Sequence, residues 1–506
     1  MGRTHFGYPV GVDIHRVHVD YRHSRALYLS KRKRIMKITK QIRHMIAVAA
    51  LISLISAAAF SVSADTPEAI GTTDPESFIR VGLFYGSSGV GEVVLTGAQG
   101  YALEVEGYEE ETVVIDVPTL TLNAENGSLH VSTAFGGEVA SAQTGVKIRI
   151  FPADSGEIIS VNGVPYRGGY EFYADAANTI TVINVLDIEG YLRGVLPSEV
   201  YTSWHMEALK AAAVAARTYA LKNAVASSHS ASGFDVCATT HCQMYSGIAK
   251  ENERTNDAIL QTAGLVVKYE GELAMTPYHS SGGGYTESAS SAWGGNPALY
   301  PYLTTVFTPY EDYRNVPGGK WESMIAPDSL TDFIPSSYAS KLNGGIADIT
   351  YDRAPSGYIH SMTVTDGEGG TQTFTTSSAV RSFFGTLVRS ANFGIAKTHL
   401  PSDTASPAVR VISAEGEYDL TGIDGYSVLS ADGEKSYAGF TEVLVFDGQG
   451  YGHGVGLSQF GARCMADAGF TYEEILGTYF PGTVIEPLFA ASETDAADSS
   501  VTDDKE

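Results

Sequence analysis

The chain is poor in cysteine, in tryptophan and in basic residues. Its 506 residues include 3 cysteines and 3 tryptophans, and 33 Lys and Arg face 58 Asp and Glu, for a formal net charge of −25. So few cysteines cannot form a disulfide framework. An acidic surface repels phosphate backbones and anionic lipid headgroups, which argues against nucleic-acid binding and favours a neutral or cationic substrate.

The basic residues that are present concentrate at the N-terminus. Residues 1–64 carry 11 basic and 2 acidic residues, and an apolar run from Met45 to Phe60 precedes the small residues Val62-Ser63-Ala64. This order predicts an export signal and therefore an extracytoplasmic protein. The run of 16 residues is shorter than the about 20 of a membrane span, yet an uncleaved membrane anchor stays open. Because a standard signal begins at Met36, residues 1–35 can also be interpreted as an upstream extension that is not translated.

Composition then divides the remaining chain into segments. Short runs of Val, Ile, Thr and Tyr between Gly, Asn and Asp predict strands, whereas later segments also carry helical periodicity. The acidic end without aromatic residues is typical of a disordered tail. We expect an α+β fold with these segments: a signal or anchor at 1–64, a linker at 65–77, a β-rich N-terminal domain at 78–180, a mixed α/β catalytic domain at 181–485 and a tail at 486–506.

The stretch "LPSEVYTSWHMEALKAAAVAARTYALKN" places Glu199 among apolar residues just before a predicted helix over 203–224. Apolar surroundings favour the protonated form of a carboxyl group, which suits an acid used in catalysis. The helix pattern shows one narrow apolar face of Met, Leu and Ala, and Arg217 leaves that face. A surface or salt-bridged arginine is the plain alternative for Arg217.

A second stretch, "SSHSASGFDVCATTHCQMYSG", holds His229, Cys237, His241 and Cys242 within 14 residues. Two thiolates and two imidazoles form a closed tetrahedral zinc set, which leaves no position for a catalytic water. The spacing is not that of a zinc finger, and adjacent ligands require a sharp backbone turn. Two buried thiols with two surface histidines are the alternative.

Two further stretches are rich in glycine. "YHSSGGGYTESASSAWGG" combines small residues with Tyr285 and Trp293, which suits a sugar, although a flexible hairpin loop has the same composition. The loop Gly448–Gly456 precedes a predicted helix at 458–468 but lacks the GK[ST] of a phosphate-binding loop. A glycine-lined groove wall is the better interpretation.

Together these stretches resemble the stage II sporulation protein D family, which includes amidase enhancers. The resemblance rests on "YLRGVLPSEV", "EALKAAAVAARTYAL", "CQMYSG", "YHSSGGGYTES", "LVRSANF" and "GHGVGLSQFGARCMADAGFTYEEILGTYFPGT", in one order over about residues 180–485. It implies a peptidoglycan lytic transglycosylase with a glycan-binding cleft, acting on strands stripped of stem peptides, in cell-wall remodelling during sporulation. It also implies a structural zinc, no organic cofactor and a cell-wall amidase as partner.

The family's functional residues fall on positions of this sequence. The resemblance implies that Glu199 is the catalytic acid, with Arg217 as its important arginine, and that the metal ligands are Cys237, His241 and Cys242 with His229 as the fourth. The expected substrate-binding residues are Tyr201, Gln243, Tyr245, Ser280, Ser281, His453, Ser458 and Gln459.

Two other functions stay open at the level of the sequence. A non-catalytic glycan-binding enhancer of an amidase would keep the groove and would tolerate loss of the acid. A glycan hydrolase would need a second carboxylate in the cleft. The residues available for that second role are Glu207, Asp235 and Glu287.

Overall fold

A computed structural model describes residues 78–489, with gaps at 109–111, 155, 157, 226–227, 402–409, 414–415, 420–424, 431–432 and 439. The described residues belong to one compact unit. None of the helices in these ranges is long and apolar enough to cross a bilayer. The signal or anchor, the linker and all but the first four residues of the predicted tail lie outside the described residues.

The first part of the described chain forms two sheets that share one hydrophobic core. Their strands are β1 Phe78–Phe84, β2 Glu92–Thr96, β3 Tyr101–Val105, β4 Val113–Ile115, β5 Thr119–Glu125, β6 Ser128–Thr133, β7 Glu138–Gln143, β8 Ile148–Pro152, β9 Ile159–Val161, β10 Val164–Tyr166, β11 Gly169–Ala174, β12 Ile180–Asp187 and β13 Val236–Cys237. The seven-stranded sheet has the order β13-β1-β12-β11-β8-β3-β4, and the six-stranded sheet has the order β10-β9-β2-β5-β6-β7.

Two of the hairpins follow directly from Asn-Gly pairs. Asn126 and Gly127 join β5 to β6 with φ of 52° and 74°, and Asn162 and Gly163 join β9 to β10 with φ of 49° and 82°. Positive φ at both central residues defines the two-residue turn whose twist matches that of paired strands. In β5 the side chains alternate between buried and more exposed positions, so its pairing register follows from the sequence pattern.

Helices cover the next part of the chain. They are α1 Ile188–Glu199, α2 Met206–Val225 and α3 Glu253–Gln261, and later α8 Gln459–Asp467 and α9 Tyr472–Tyr479. Asp187 caps α1 by accepting a hydrogen bond from the backbone N–H of Gly190 at 2.7 Å. The central helix α2 contacts the other four. It is buried on several faces instead of the one narrow face expected, because alanines let its neighbours approach closely.

Short strands connect this helical layer to its surroundings. They are β14 Leu265–Tyr269, β15 Glu272–Leu273, β16 Tyr278–His279, β27 Leu457–Ser458 and β28 Val484–Pro487. The parallel pair β16–β27 joins two glycine-rich segments that lie far apart in sequence. Strand β28 pairs with β14 up to Pro487, so ordered chain extends two residues beyond the expected domain end at 485.

A second hydrophobic core lies in the later part of the chain. Its helices are α5 Leu330–Phe333, α6 Ser336–Ala339 and α7 Ser377–Phe384, whereas the buried residues of the preceding short helix α4 Ala289–Trp293 belong to the first core. Its strands and the hairpins beyond them are β17 Lys320–Ile325, β18 Ile346–Arg353, β19 Ile359–Asp366, β20 Thr371–Phe374, β21 Phe393–Pro401, β22 Arg410–Ser413, β23 Gly416–Asp419, β24 Gly425–Ser430, β25 Gly433–Ala438 and β26 Phe440–Gln449.

The α+β prediction is confirmed. The expected domain boundary at residue 180 falls at the first residue of β12, which pairs with both β1 and β11. Because one core includes side chains of these sheets and of α1 and α2, the β-rich part and the helices pack as a single body. The C-terminal end of α1 is therefore held in place by this packed core.

Candidate functional site

Glu199 is the last residue of α1 and its carboxylate is half-buried. Its Oε1 accepts a hydrogen bond of 2.7 Å from the backbone N–H of Met244. Burial raises the pKa of Glu199 above its ordinary value, and the hydrogen bonds from Met244 and Gln459 and the charge of Lys250 only partly oppose this shift. A position at the negative end of a helix also disfavours the carboxylate form. The geometry therefore favours a proton on this acid, as the sequence suggested.

A small apolar cavity opens beside this carboxyl group. Its lining residues are Leu196, Glu199, Val200, Ala212, Ala216, Tyr278, Leu457 and Gln459. Glu199 is the only ionisable carboxyl group among them. Since Oε1 is engaged by Met244, Oε2 is the oxygen left to carry and exchange a proton.

A buried hydrogen-bond network lies against the same cavity. Gln243 accepts from the hydroxyl of Tyr191 at 3.0 Å and donates to the hydroxyl oxygen of Tyr278 at 3.1 Å and to the carbonyl of Ala216 at 3.2 Å. Burial and then the charge of Glu199 raise the pKa of Tyr278 well above its ordinary range. The phenol is therefore neutral. Gln243 thus acts behind the acid and supports Tyr278, instead of facing the substrate as expected.

Aromatic residues flank the acid on the outer side. Tyr201 is 58% exposed, and its ring lies 5.7 Å from that of Trp204 and 6.2 Å from that of Phe460. An exposed ring held by two others is a platform on which a sugar ring can stack. Gln459, next to Phe460, donates to the main-chain carbonyl of Glu199 at 3.2 Å. The structure thus brings Tyr201 and Gln459 together with the acid.

Besides Gln243, three more of the expected substrate-binding residues are buried away from solvent. Tyr245 donates to the side-chain oxygen of Asn184 at 2.8 Å, within the core. The hydroxyls of Ser281 and Ser458 both donate to Glu311, the latter at 2.8 Å. A sugar cannot reach these groups as they stand. Half-buried Ser280 lies just beyond β16, where its carbonyl accepts from the N–H of Phe460 at 3.0 Å.

Glu311 was not singled out from the sequence. It is 4% exposed, and burial raises its pKa although two serine hydroxyls and the N–H of Gly282 donate to it. Its setting among aromatic residues in "FTPYEDY" is the same kind of signal that identified Glu199. Its acceptor positions are filled from within the protein, so its role is to join the β16 segment to β27.

The other carboxylates considered for a hydrolase also have internal partners. Glu287 accepts from the hydroxyl of Ser356 at 2.9 Å and from the N–H of Ser288 at 2.7 Å. Glu207 pairs with Lys210 at 2.9 Å, and Asp235 accepts from the N–H of Arg80 at 2.8 Å. None of these carboxyl groups lines the cavity beside the acid.

The glycine-rich loop before α8 packs inside the protein. A Cβ on Gly454 would lie 2.6 Å from the hydroxyl of Tyr358, and one on Gly456 would lie 2.2 Å from the carbonyl of Pro277, at φ of 84° and 72°. These contacts exclude larger residues and give the loop a packing role beyond that of a groove wall. His453 stays half-buried beside Trp293, with ring centres 5.6 Å apart.

The four expected metal ligands lie together. The Cys242 sulfur is 3.4 Å from a nitrogen of both His229 and His241, these nitrogens are 3.3 Å apart, and the Cys237 sulfur is 3.7 Å from His241. All four ligand atoms lie within 4.8 Å of one another. A turn closed by a hydrogen bond from the Cys242 N–H to the Thr239 carbonyl at 3.1 Å supplies the sharp bend that adjacent ligands need. This cluster could hold a metal ion.

The cluster and the hydrogen-bond donor to the acid are parts of one loop. Cys242, Gln243 and Met244 follow one another, so the residue after a metal ligand supports Tyr278 and the next one donates to Glu199. On the other side, Cys237 belongs to β13, which pairs with β1. A metal at the cluster would therefore fix the loop that positions the acid.

The side chain of Arg217 joins two helices, and its ion-pair partner is Glu189 instead of the expected catalytic acid. Its side chain has no exposed surface and forms a two-pronged ion pair with Glu189, at 2.9 and 2.7 Å. It also donates to the carbonyls of Leu265 at 3.1 Å and Ile259 at 3.4 Å. The alternative of a salt-bridged arginine matches this geometry, in which the side chain ties α2 to the first turn of α1.

Comparisons with known proteins agree on one kind of relative. A family model described as stage II sporulation protein matches residues 176–269. The amidase enhancer of Bacillus subtilis (strain 168) is 32% identical over 313 residues, 58% of this chain and 40% of that protein. A Brachyspira hyodysenteriae protein whose name states no function is 30% identical over 328 residues, 64% of this chain and 73% of its own. Stage II sporulation protein D of Bacillus subtilis (strain 168) is 26% identical over 316 residues, 59% of this chain and 74% of its own. This chain thus spans less than half of the amidase enhancer.

The buried ion pair generates a prediction about stability. Arg217→Ala leaves Glu189 without its ion-pair partner and removes the hydrogen bonds to the carbonyls of Leu265 and Ile259, so the free energy of unfolding should fall by about 3 kcal/mol. Urea denaturation measures this loss. Arg463→Ala is the matched control, because that arginine is 41% exposed and its ion pair with Asp467 lies at the surface, where about 0.5 kcal/mol is expected. A loss below about 1 kcal/mol for Arg217→Ala would show that the pair does not hold α1 to α2.

Proposed function

Because the chain belongs to the stage II sporulation protein D family, we propose that it is a peptidoglycan lytic transglycosylase. The proposed substrate is a glycan strand without stem peptides, cleaved between N-acetylmuramic acid and N-acetylglucosamine. The setting that we propose is cell-wall remodelling in sporulation, outside the cytoplasm, with attachment to the membrane or the wall. A cell-wall amidase that removes the stem peptides is the proposed partner, in line with the name of the amidase enhancer.

One observation carries the proposal: a single carboxyl group lines the apolar cavity at the end of α1. Hydrolysis of a glycosidic bond usually requires two carboxyl groups, one as acid and one as nucleophile or base. A transglycosylase requires one, since a hydroxyl of the substrate replaces water. The half-buried Glu199 is suited to that single role.

In the first step Glu199 acts as general acid. Its Oε2 gives a proton to the oxygen that links the two sugars, and the bond from that oxygen to C1 of N-acetylmuramic acid breaks. Burial keeps the acid protonated, which this step requires. The N–H of Met244 then stabilises the carboxylate that forms, through its 2.7 Å hydrogen bond.

In the second step the same residue acts as general base. The Glu199 carboxylate takes the proton from the C6 hydroxyl of N-acetylmuramic acid, and the C6 oxygen bonds to C1. The product is a 1,6-anhydro end, and the acid returns to its starting state. No water is consumed, and the apolar wall formed by Leu196, Val200 and Leu457 helps to keep water out.

A second function is favoured by the name of one relative. As an amidase enhancer, the protein would bind strands and stimulate a partner without cutting them. The two functions differ in what they require of Glu199, because only cleavage requires a group that exchanges a proton.

We propose further that the Cys2His2 cluster holds zinc. Bonds of about 2.3 Å to sulfur and about 2.0–2.1 Å to nitrogen in a tetrahedron place the ligand atoms about 3.3–3.8 Å apart. Four of the six distances among Cys237, His241, Cys242 and His229 match these edges, and all six are within 4.8 Å. When bound, zinc would supply structural cross-linking, because four protein ligands leave no open position.

The first test replaces the acid. Glu199→Gln keeps the shape of the side chain but cannot exchange a proton, so cleavage of denuded strands should fall by about 10⁴-fold. Mass spectrometry of the products measures the loss and also detects the 1,6-anhydro ends of the wild type. Glu207→Gln, which neutralises a half-buried carboxylate paired with Lys210 outside the cavity, is the matched control and should cleave normally.

Three outcomes would contradict the proposal. If Glu199→Gln keeps more than about a tenth of wild-type turnover, the proton donor lies elsewhere. Reducing ends in place of anhydro ends would indicate hydrolysis. If the wild type cuts no strands but stimulates an amidase, and Glu199→Gln stimulates it equally, the enhancer function replaces ours.

The raised pKa also predicts a pH dependence. The proton on Glu199 is held to a higher pH than on an exposed glutamate, so kcat should be high on the acidic side and fall as pH rises through the folded-state pKa. The preference for the protonated form stabilises the fold below the unfolded pKa, and this contribution is lost as pH rises through the folded pKa. Glu199→Gln should therefore unfold at neutral pH no more easily than the wild type. A thermal denaturation series from pH 4 to 8 checks the sign, and an early loss of stability in the variant would contradict it.

Loss of the metal should affect folding and activity together. Cys237→Ser and Cys242→Ser should lower zinc content and reduce the melting temperature by about 5–10 °C, because a structural metal contributes folding free energy. Cys464→Ser is the matched control, since that thiol lies on α8 outside the cluster. Elemental analysis that finds much less than one zinc per chain would refute the zinc assignment.

A further inference from the structure

Two arginines near the glycine-rich loop have no acidic partner among the described residues. Arg381 lies on α7 and is half-buried, and no hydrogen bond or ion pair joins its side chain to another described residue. Arg389 is exposed, and its guanidinium lies over the ring of Tyr451, 5.7 Å from the ring centre. In a chain with a net charge of −25, two unpaired cations on one side are unexpected.

Both arginines belong to one surface, which we call the arginine surface: Arg381, Arg389, Tyr451, Trp293 and His453. Tyr451 and Trp293 are each 43% exposed. Trp293 ends α4, which packs against α7, and its ring centre lies 5.6 Å from that of His453. Burial and then the charge of Arg381 lower the pKa of His453 to about 4, so this histidine is neutral and adds no further charge. Tyr451 also lies close enough to Arg381 to interact with its guanidinium electrostatically, so this ring interacts with both arginines.

Ring contacts link the arginine surface to the wall of the acid's cavity. Tyr278, in the cavity wall, is followed by His279, whose ring centre lies 5.6 Å from that of His453. On the paired strand, Leu457 lines the cavity, and the loop that carries Tyr451 and His453 leads directly into that strand. Because His279, Leu457 and Ser458 are themselves buried, we place the path of a strand from Glu199 to the two arginines over the exposed rings of Trp293 and Tyr451.

The proposed substrate carries a matching group. N-acetylmuramic acid has a lactyl carboxyl group that forms an amide with the stem peptide, and removal of that peptide leaves a free carboxylate on every second sugar. Guanidinium groups bind carboxylates through charge-assisted hydrogen bonds, and exposed aromatic rings stack on sugars. A strand that keeps its peptides presents a neutral amide and a bulky substituent at the same point.

We infer that Arg381 and Arg389 bind the free lactyl carboxylate of N-acetylmuramic acid in strands that lack stem peptides. This inference rests on the proposed function for the identity of the strand. It assigns the preference for denuded strands to charge recognition on the arginine surface, at a distance from the reacting bond. The arginines thereby provide locally the positive charge that the protein as a whole lacks.

Binding measured in the Glu199→Gln protein tests the inference without cleavage. Two probes are used: denuded strands, and the same strands after their carboxylates are coupled to methylamine as neutral amides. The Glu199→Gln protein should bind the carboxylate strands about tenfold more tightly, the size expected for one charge-assisted contact. Adding Arg389→Gln should abolish this preference, whereas Arg389→Lys should retain part of it.

Controls separate charge recognition from other effects. Arg463→Gln removes an equal charge at an exposed ion pair on α8 and should leave the preference intact. Arg381→Gln should also reduce the preference, with its melting temperature measured because that side chain is half-buried. Equal binding of the two probes by the Glu199→Gln protein, no binding of either, or an unchanged preference in Arg389→Gln would each overturn the inference. If the preference depends on Arg389 but the wild type cleaves no strands, the carboxylate site stands and the transglycosylase proposal fails.

Discussion

The hydrogen bond from the N–H of Met244 to Glu199 is the constraint on which the site depends. It leaves Oε2 as the free carboxyl oxygen of Glu199. It also favours the charged form of Glu199, but burial raises the pKa by more than this hydrogen bond lowers it. The donor lies two residues beyond Cys242, so the position of the acid relies on the loop that a metal at the Cys2His2 cluster would fix. The ion pair of Arg217 and Glu189 ties the start of α1 to α2. The acid is thus held by its helix on one side and by the backbone of this loop on the other.

Charge presents a second constraint. An overall charge of −25 favoured a neutral or cationic substrate, whereas strands without stem peptides are anionic. Repulsion between exposed charges is screened beyond roughly 8–10 Å, so local charges near the bound strand outweigh the net charge. In the proposed complex Arg381 and Arg389 supply such local charges, and neither has a carboxylate partner in the part of the chain that the structure describes. The net charge of a protein is therefore a poor guide to the charge of its ligand where a few such arginines lie close to the ligand.

Sequence reasoning succeeded where local chemistry decides structure. Short runs of Val, Ile, Thr and Tyr between Gly, Asn and Asp predicted the strands of the β-rich part, and the ligand types within 14 residues predicted a cluster that could hold a metal, including His229. It failed where the partner is distant in sequence. Glu189 lies 28 residues before Arg217, and Glu311 is 147 residues before Ser458, so neither pairing leaves a local pattern. For the same reason Tyr245 and Ser281 were expected in the groove, although their neighbours place them in the core.

The carboxyl groups of Glu287, Glu311 and the half-buried Glu199 differ in how completely their hydrogen-bonding capacity is satisfied. Glu287 and Glu311 each receive several donors from serine hydroxyls and backbone N–H groups, which makes them part of the framework. Glu199 has a 2.7 Å hydrogen bond from Met244, with Gln459 as the other nearby donor, and it faces a cavity. Ionising a half-buried carboxyl group with few donors costs stability at neutral pH. A module that only binds glycan gains nothing from that cost and would be more stable with a glutamine. An enzyme that must give and regain a proton at one residue requires it, and this difference favours the catalytic role of Glu199 over the enhancer function.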